Sequence, residues 1–388
     1  MTLGVLRLSI NKSEHEVPLK LNIPDNIAAI TPYPPGKPID ELEREYGISG
    51  SIKLASNENP WGPSPAVRAA LCEEIVNLNR YPDGSCYYLT KAIAEKTGVD
   101  PAELVLGNGS NEVIEFLVKA FVREGDEVVT SHPSFLMYQK FVQVRGGTNR
   151  VVPLSGLRHD LDVIYKTISK KTRLIFIDNP NNPTGTIIET ADLNVFLKGV
   201  PESVIVVLDE AYVDYIDKDF QVDPCSLIRN RSGCCPIVLL RTFSKAYGLS
   251  GLRVGYGIMT KEVASCLHKV RQPFNINRMA QAGALAALAD EDFYMQTLSY
   301  TRSGLDFLSG EVGKIGCISY PSQTNYFLID VKGDADLLYQ KMLHKGVIIR
   351  SMSSYGFPTF IRVTVGTKEE NSRFLDALKN CLDGLGYV

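Results

Sequence analysis

Short apolar runs alternate with helix-like segments from about residue 103 to residue 285 of this 388-residue chain. NEVIEFLVKAFV, for example, places Val113, Phe116, Leu117, Ala120 and Phe121 on one stripe of a helix. Runs that are apolar throughout, rather than alternating with polar residues, indicate strands buried on both faces. We therefore predict an α/β fold with a mainly parallel central sheet between helix layers. The runs are centred in LVLGNG, DEVVTSH, RLIFIDNP, VIVVLDEAY and PIVLLRTFS.

The pattern changes after about residue 285. A long helical segment leads into TNYFLIDV, VIIRSM and FIRVTVG, which alternate with predicted helices at about 334–345 and 367–386. This arrangement predicts a smaller α+β domain. The N-terminal segment is rich in proline and is expected to be extended and to pack beside that smaller domain. We expect three parts, namely an N-terminal segment (1–50), a large domain (51–285) and a small domain (286–388).

Composition and charge exclude several classes of protein. Apolar residues make up 44% of the chain and charged residues 22%, enough for a substantial core. A net charge of −3 argues against a nucleic-acid partner. No apolar stretch reaches the roughly 18 residues of a membrane span, and the first residues lack the pattern of a secretory signal. The eight cysteines form no C-x-x-C pair and the five histidines no H-x-x-x-H pair, so we expect a cytoplasmic protein without a metal site.

Polar residues follow two of the predicted strands. Asp209 ends VIVVLD and needs a cationic partner, because burying an unpaired charge costs several kcal/mol. Tyr212 comes three residues later. The segment NPNNPTG (179–185), which includes Asn182, follows RLIFID and presents side-chain amides. The same composition is also typical of a simple tight turn.

Two further segments carry residues suited to an anion. GNGSNE (107–112) precedes a helix and places Ser110 and Asn111 at its start, where free N–H groups bind anions. It is not a dinucleotide fingerprint, because Glu112 occupies the position of the last glycine, and an N-cap without a ligand remains an alternative. LLRTFSKAYGLSGLRVGYG (239–257) could by itself be a strand end followed by a polar loop. Its polar residues are Thr242, Ser244, Lys245 and Arg253.

Together, these features describe a site for pyridoxal phosphate. A lysine amine forms a Schiff base with the aldehyde, and apolar surroundings lower its pKa. A carboxylate beside the pyridine nitrogen keeps that nitrogen protonated, so the ring withdraws electrons from the substrate. Hydroxyls, helix-start amides and an arginine hold the phosphate. Each feature alone is weak, whereas their joint order on successive strands favours this cofactor.

The order NPNNPTG, VVLDEAY, RTFSKAYGLSGLRVGY resembles the pattern of fold-type I pyridoxal-phosphate aminotransferases, and the resemblance extends from about Asn26 to the C-terminus. Within that superfamily the chain is most similar to the histidinol-phosphate aminotransferase family. The resemblance implies the fold of a PLP-dependent transferase of type I. The segments that carry the closer similarity are ITPYPPGKP, LASNENPWGPS, RYPDG, GVIIRSMSSYGFP and IRVTVGTKEEN.

The resemblance assigns roles around the cofactor. Lys245 would carry the cofactor and move protons, Asp209 would pair with the pyridine nitrogen, and Tyr212 with Asn182 would bind the phenolic oxygen. Phe135 would stack on the ring, where tyrosine is common in the family. The implied phosphate ligands are Ser110, Asn111, Thr242, Ser244 and Arg253.

The resemblance also assigns the substrate contacts. Arg362 would receive the carboxylate of glutamate or the phosphate of histidinol phosphate, with Asn182 nearby. Tyr33, Arg350 and Tyr81 would be further phosphate contacts, and Tyr81 would come from the neighbouring subunit of a homodimer. Taken alone, the two tyrosines would more often be core residues with satisfied hydroxyls, and Arg350 could form a surface ion pair worth under about 1 kcal/mol.

The implied reaction transfers an amino group between L-histidinol phosphate and 2-oxoglutarate, giving imidazole acetol phosphate and glutamate in histidine biosynthesis. An aromatic amino acid aminotransferase and a threonine-phosphate decarboxylase of the same fold are alternatives, since both can use the same arginine and lysine. A non-catalytic binding protein would be expected to lack Lys245, Asp209 or Asn182, and all three are present. A nicotinamide-dependent dehydrogenase would need the missing glycine fingerprint.

Overall fold

A computed structural model describes residues 21–32, 36–228 and 234–387. Thirteen strands lie in these ranges, and they form three sheets. The strands are β1 (Ile52–Lys53), β2 (Leu104–Gly107), β3 (Glu127–His132), β4 (Thr148–Pro153), β5 (Thr172–Asp178), β6 (Ile205–Asp209), β7 (Ile237–Thr242), β8 (Gly255–Ile258), β9 (Ile318–Ser319), β10 (Tyr326–Asp330), β11 (Val347–Ile348), β12 (Arg350–Ser351) and β13 (Phe360–Thr364).

Fourteen α-helices accompany these strands in the same described ranges. They are α1 (Asp25–Ala28), α2 (Ile39–Tyr46), α3 (Pro65–Glu74), α4 (Tyr87–Thr97), α5 (Ser110–Phe121), α6 (Met137–Val144), α7 (Leu161–Thr167), α8 (Thr190–Gly199), α9 (Pro224–Ile228), α10 (Lys261–Val270), α11 (Arg278–Ala289), α12 (Glu291–Lys314), α13 (Ala335–His344) and α14 (Lys368–Leu385).

The central sheet has seven strands in the order β2-β8-β7-β6-β5-β3-β4. Neighbouring strands are parallel except at β8, which runs antiparallel to both β2 and β7. The prediction of a mainly parallel sheet built from the five apolar runs is confirmed. The reversed strand β8 was not predicted, because GYGI carries two glycines and only a short apolar run.

Both faces of this sheet are covered, which explains why the strands are apolar throughout. Along β5, Leu174 and Phe176 belong to one core cluster, whereas Ile175 and Ile177 belong to another. The first cluster is completed by α5, α6 and α10, and the second by helices that include α3, α4, α8 and α11. Because successive strand residues point to opposite faces, a strand between two helix layers needs an apolar residue at every position.

A smaller antiparallel sheet, in the order β12-β13-β10-β9, packs with α12, α13 and α14 around a core of its own. Segments from the N-terminal half join this part of the molecule. Ile52 of β1 pairs with Val347 of β11, and Leu42 of α2 packs against Leu343. By contrast, Asn26 of α1 donates hydrogen bonds to backbone carbonyls of α6.

The division of the chain at residues 50 and 285 stays a prediction. The predicted boundary at residue 285 falls within α11, and β1 begins just after the predicted boundary at residue 50. Across the described residues, no helix is long and apolar enough to cross a membrane. Nor does that part of the chain gather three or more histidine, cysteine or acidic side chains in a group that could hold a metal ion.

The carboxyl ends of three neighbouring strands place polar groups at one edge of the central sheet. β5 ends at Asp178, β6 at Asp209 and β7 at Thr242, and the two aspartates are direct cross-strand partners. Lys245 follows β7 by three residues. Ligands of open α/β sheets bind at this edge, so we expect a functional site there.

Candidate active site

A cavity of about 300 Å³ lies at this edge of the sheet, bordered on its far side by β12 and β13 of the smaller sheet. Its lining includes twelve of the side chains named from the sequence: Ser110, Asn111, Phe135, Asn182, Asp209, Tyr212, Thr242, Ser244, Lys245, Arg253, Arg350 and Arg362.

Two of the named residues are not in this lining. Tyr33 lies outside the described residues. Tyr81 is away from the cavity of its own chain, with 79% of its surface exposed, and its ring stacks on Phe274 at a centroid distance of 4.9 Å. The individual roles assigned to all fourteen residues stay predictions.

Lys245 projects its amine into the cavity from the loop after β7. The Nζ atom donates a hydrogen bond to the carbonyl of Ser56 at 3.4 Å and lies 5.6 Å from the centroid of the Tyr212 ring. Burial lowers the pKa of Lys245 to about 8, and the positive charges of Arg362 and Arg253 contribute to the lowering. About a tenth of the amine is therefore unprotonated at pH 7 and available as a nucleophile, far more than at its ordinary pKa of 10.5.

Asp209 places a buried carboxylate on the floor of the same cavity. Its Oδ2 atom accepts a hydrogen bond from the Tyr138 hydroxyl at 2.7 Å, and its Oδ1 atom accepts one from the Ala211 N–H at 3.2 Å. Burial raises the pKa of Asp209 to about 7; the Tyr138 hydrogen bond opposes this rise and the charge of Asp178 adds to it. In the part of the chain that the structure describes, no basic side chain forms an ion pair with Asp209. A cationic ligand atom would supply the partner expected from the sequence.

The amino end of α5 and the loop before β8 form an anion cradle. Arg253 donates from Nη1 to the Ser250 carbonyl at 3.0 Å, and the same atom lies 3.4 Å from the Ser244 hydroxyl. A Cβ atom on Gly109 would lie only 2.4 Å from Nη2 of Arg253, so glycine allows the guanidinium to reach the start of the helix. The side-chain amide of Asn111 has a buried atom, Oδ1, with no hydrogen-bond partner among the described residues. A 180° rotation of the amide exchanges Oδ1 with Nδ2, and the NH2 group in this position would donate to an anion.

Two arginines lie side by side on the wall of the cavity that the smaller sheet forms. Arg350 of β12 and Arg362 of β13 are direct cross-strand partners. Arg362 is fixed by hydrogen bonds from Nη2 to the Ala55 carbonyl at 2.8 Å and from Nη1 to Oδ1 of Asn182, and its guanidinium lies 5.0 Å from the centroid of the Tyr326 ring. Like charges opposite one another destabilise a sheet, and this pair therefore indicates a site where an anion binds.

Sequence reasoning missed three residues that organise the site. Asp178 fixes the turn that carries Asn182, because its carboxylate accepts from the Asn182 N–H at 2.7 Å and from the Ser134 hydroxyl at 2.6 Å. It ends an apolar strand as Asp209 does, so the same signal could have found it. Tyr138, the partner of Asp209, and Asn57, which donates to Tyr212, carry no comparable signal in the sequence.

These contents of the cavity fit pyridoxal phosphate. An amine with a lowered pKa, a buried carboxylate without a basic partner and an anion cradle with an unpaired amide end occupy one space. The arginine pair on the far wall leaves room for an anionic substrate, and Nε of Arg362 is also buried without a partner among the described residues. The fold and the cavity together define a pyridoxal-phosphate-dependent aminotransferase of fold type I.

Comparison with known proteins agrees with this class. Residues 49–378 match the family described as aminotransferase class I and II. The chain is 65% identical over 375 residues to the histidinol-phosphate aminotransferase of Desulfotalea psychrophila, an alignment that covers 97% of this chain and 99% of that protein. It is 45% identical to the enzyme of the same name from Moorella thermoacetica, with 92% of each chain covered. The chain belongs to the histidinol-phosphate aminotransferases within aminotransferase class I and II.

Solved structures give the same result and bear on the cofactor. The crystal structure of histidinol-phosphate aminotransferase from Sinorhizobium meliloti in complex with pyridoxal 5'-phosphate superposes with a TM-score of 0.86 at 27% identity, covering 94% of this chain and 98% of that one. The enzyme of the same name from Clostridium acetobutylicum superposes with a TM-score of 0.78 at 26% identity, over 86% and 99% of the two chains. The cofactor of this family, pyridoxal 5'-phosphate, is the one that the cavity fits.

Proposed function

We propose that the protein transfers the amino group of L-histidinol phosphate to 2-oxoglutarate, giving imidazole acetol phosphate and L-glutamate in histidine biosynthesis. The observation that carries this proposal is the placement of Lys245 and the cross-strand pair Arg350 and Arg362 in one cavity. An amine-carrying substrate with a phosphate group matches both ends of that cavity. The names of the relatives at 65% and 45% identity support the same substrate.

Lys245 is the residue that holds and moves protons at the reacting carbon. When bound, pyridoxal phosphate supplies an electron-withdrawing ring and a carbonyl carbon that exchanges one amine for another. The pKa of Lys245 is lowered to about 8, which keeps part of the amine unprotonated. Lys245 would therefore hold the cofactor through its carbonyl carbon and would accept and return a proton beside it. The amine would accept and return a proton in each of the two halves of a ping-pong reaction.

Asp209 keeps the pyridine nitrogen of the cofactor protonated through a charge-assisted hydrogen bond. Tyr212 and Asn182 bind its phenolic oxygen, and Phe135 packs on the ring. The phosphate takes hydrogen bonds from the amino end of α5 and from the cradle residues. In this proposal the cradle residues are Ser110, Asn111, Thr242, Ser244 and Arg253.

Arg362 and Arg350 bind the phosphate of histidinol phosphate in one half-reaction. In the other, Arg362 binds a carboxylate of 2-oxoglutarate or glutamate. Guanidinium groups suit this exchange, because phosphate and carboxylate both accept paired N–H bonds. We assign Tyr33 and Tyr81 further hydroxyl contacts to the substrate phosphate.

We further propose that the protein acts as a homodimer in the cytoplasm, with Tyr81 reaching the cavity of the neighbouring subunit. Exposed apolar side chains between residues 75 and 88, with Phe274 stacked on Tyr81, support the dimer, because exposed apolar surface marks interfaces. None of the eight cysteines, all of which lie in the described ranges, forms a disulfide, as suits a reducing compartment. Sedimentation at assay concentrations tests the dimer, and a fully active monomer would rule it out. The exposed side chains are Ile75, Val76, Leu78, Tyr81, Tyr87, Tyr88 and Phe274.

An absorbance titration tests the reaction. Purified protein loaded with cofactor is expected to show a visible band that is absent from Lys245→Ala. Adding L-histidinol phosphate should convert the band to a shorter wavelength at far lower concentration than L-phenylalanine does. An equal response to both would move the assignment to an aromatic amino acid aminotransferase, release of carbon dioxide to a decarboxylase, and no band at all would refute the site.

A further inference from the structure

Asn57 lies where the N-terminal half of the chain, the large sheet and the small sheet meet. It is 2% exposed and adopts a left-handed backbone conformation, with φ 55°. Asparagine is one of the few residues other than glycine that tolerates this conformation. Such a buried, left-handed residue is unusual enough to ask what its side chain does.

The small sheet holds Asn57 by three hydrogen bonds. The Asn57 N–H donates to Oγ1 of Thr364 at 3.0 Å, and the same hydroxyl donates to Oδ1 of Asn57 at 3.1 Å. The side chain of Asn325 donates to the Asn57 carbonyl at 3.1 Å. Thr364 follows Arg362 by two residues on β13, so these bonds tie Asn57 to the strand that carries the anion-binding arginine.

The remaining side-chain atom of Asn57 reaches the large domain. Nδ2 donates a hydrogen bond of 2.8 Å to the hydroxyl oxygen of Tyr212, which lines the cavity. The orientation of the amide follows from Thr364. Its buried hydroxyl already accepts from the Asn57 N–H, and its own proton needs an acceptor, which Oδ1 provides.

This chain of donors has one direction. Thr364 donates to Asn57, and Asn57 donates to Tyr212. A hydroxyl that accepts from a fixed amide N–H directs its own proton elsewhere, and for Tyr212 the open direction is the cavity. Burial raises the pKa of Tyr212 to about 12, and the Asn57 hydrogen bond acts against this rise, as expected of a bond that makes the hydroxyl a better donor.

We propose that Asn57 is a positioning residue that aims the hydroxyl proton of Tyr212 into the cavity and fixes it relative to the strand of Arg362. The inference rests on the proposed function, in which Tyr212 donates to the phenolic oxygen of the cofactor. Asn57 itself touches neither cofactor nor substrate in this account. It acts only through the direction of one proton and the placement of one strand.

Two substitutions separate this role from simple packing. Asn57→Gly keeps the left-handed backbone at no steric cost and removes the amide donor. Asn57→Asp keeps the size and the bond from Thr364 but replaces the donor by an acceptor, so Tyr212 would turn its proton away from the cavity towards the new carboxylate. A packing role predicts that the aspartate variant resembles the wild type more closely than the glycine variant does. The proposal predicts the reverse order.

The readout is the pH midpoint of the visible absorption band in the cofactor-loaded protein without substrate. A proton donated to the phenolic oxygen stabilises negative charge there and so disfavours proton uptake beside it. We expect the midpoint to rise by about one pH unit in Asn57→Gly and by more in Asn57→Asp. In both variants kcat should fall about tenfold or more while KM for histidinol phosphate changes little. The lost bond serves the cofactor, whereas the backbone bonds of residue 57 to Thr364 and Asn325 remain and still hold the strand of Arg362.

A double-mutant cycle of Asn57→Gly with Tyr212→Phe excludes a general effect of strain, and the glycine variant adds no charge of its own. In the Tyr212→Phe background, Asn57→Gly should leave the midpoint unchanged, because the hydroxyl through which Asn57 acts is gone. Thr364→Val removes the hydroxyl that orients the Asn57 amide, so it should give part of the rise in the pH midpoint. Thr364→Ser keeps a hydroxyl and should restore the wild-type midpoint. Thermal unfolding of each variant checks folding, and Thr364→Val carries the test if both Asn57 variants fail to fold.

The outcomes are distinct. A wild-type protein without a visible band or without turnover of histidinol phosphate would defeat the proposed function itself. A normal wild-type protein, with Asn57→Asp close to wild type or with equal shifts in the presence and absence of the Tyr212 hydroxyl, would overturn the role of Asn57 alone. A larger midpoint shift in Asn57→Asp than in Asn57→Gly, with no shift from Asn57→Gly in the Tyr212→Phe background, would establish the positioning role of Asn57.

Discussion

The Tyr138 hydroxyl donates a hydrogen bond of 2.7 Å to Oδ2 of Asp209, and both groups are buried beneath the cavity. Tyr138 belongs to α6, whereas Asp209 ends β6, so the bond joins a helix of one covering layer to the edge of the sheet. The Tyr138 ring is fixed as well, since it stacks on Phe176 at 4.7 Å with an interplanar angle of 5°. The carboxylate, which lines the cavity, is therefore held by a rigid donor.

Tyr138→Phe is expected to weaken cofactor binding mainly near neutral pH. The substitution keeps the ring stack but removes the bond that opposes the rise in the pKa of Asp209, so the pKa should move above about 7. Less of the carboxylate would then be ionised at pH 7 to pair with the pyridine nitrogen. We expect the dissociation constant for pyridoxal phosphate to rise about tenfold at pH 7 and much less at pH 9, as measured by equilibrium titration.

Tyr165→Phe supplies a control, because this tyrosine is exposed and away from the cavity. An equal loss of affinity at both pH values in Tyr138→Phe would show that the ring position, and not the ionisation of Asp209, had changed.

Asp209→Asn should stabilise the protein without cofactor at alkaline pH. The pKa of Asp209 is about 7 in the folded chain against 3.8 as its ordinary value, so the folded state holds the proton over a range in which the unfolded state has released it. The stability of the wild-type protein therefore falls as pH rises from about 4 to 7, and the asparagine variant escapes this fall. Between pH 5 and pH 8 the difference in unfolding free energy should move by about 3 kcal/mol in favour of the variant. Urea unfolding of both cofactor-free proteins measures it, and a difference independent of pH would contradict the raised pKa.

The rate at which the cofactor-free protein captures pyridoxal phosphate should depend on pH with a midpoint near the pKa of Lys245, about 8. The rate rises with pH because only the unprotonated amine attacks the aldehyde. Arg362→Gln removes a positive charge that lowers this pKa, so the midpoint should move upward by a few tenths of a pH unit or more.

Arg350→Gln is the matched control for that experiment. Arg350 lines the same cavity on the neighbouring strand, but it is not among the main charges acting on Lys245. Its removal should leave the midpoint in place. Stopped-flow absorbance gives the rate, and equal shifts in the two variants would show that the effect is not specific to Arg362.

The sequence alone was sufficient to predict the positions of polar groups that follow apolar strands. Asp209, Thr242 and Lys245 could be placed together because the carboxyl ends of parallel strands meet at one edge of a sheet. Asp178 ends its strand in the same way, so the same rule places it at this edge as well. The roles in the cavity came from the family resemblance, which spacing by itself could not provide.

Other parts of the site depend on contacts between residues far apart in the chain. Tyr138 meets Asp209 across 71 positions, and Asn57 meets Thr364 across 307. Periodicity predicts that a tyrosine on α6 is buried, but not which carboxylate its hydroxyl meets. In the same way, the pairing of β1 with β11 involves two-residue strands that carry too few residues to show a pattern. Packing of the whole chain decides such contacts.

Gly109→Ala is expected to disrupt the anion cradle. The backbone at Gly109 has φ 80°, which an alanine adopts only with strain, and a Cβ atom would lie 2.4 Å from Nη2 of Arg253. The guanidinium would have to move away from the amino end of α5, so the dissociation constant for pyridoxal phosphate should rise tenfold or more, roughly the loss of one charge-assisted hydrogen bond.

Gly251→Ala is the matched control, because Gly251 lies two residues before Arg253 and a Cβ atom there meets nothing within 4 Å. Inorganic phosphate should compete with the cofactor for the wild-type protein and the control but much less for Gly109→Ala. Unchanged affinity and phosphate competition in Gly109→Ala would mean that Arg253 and the start of α5 do not bind the cofactor phosphate together.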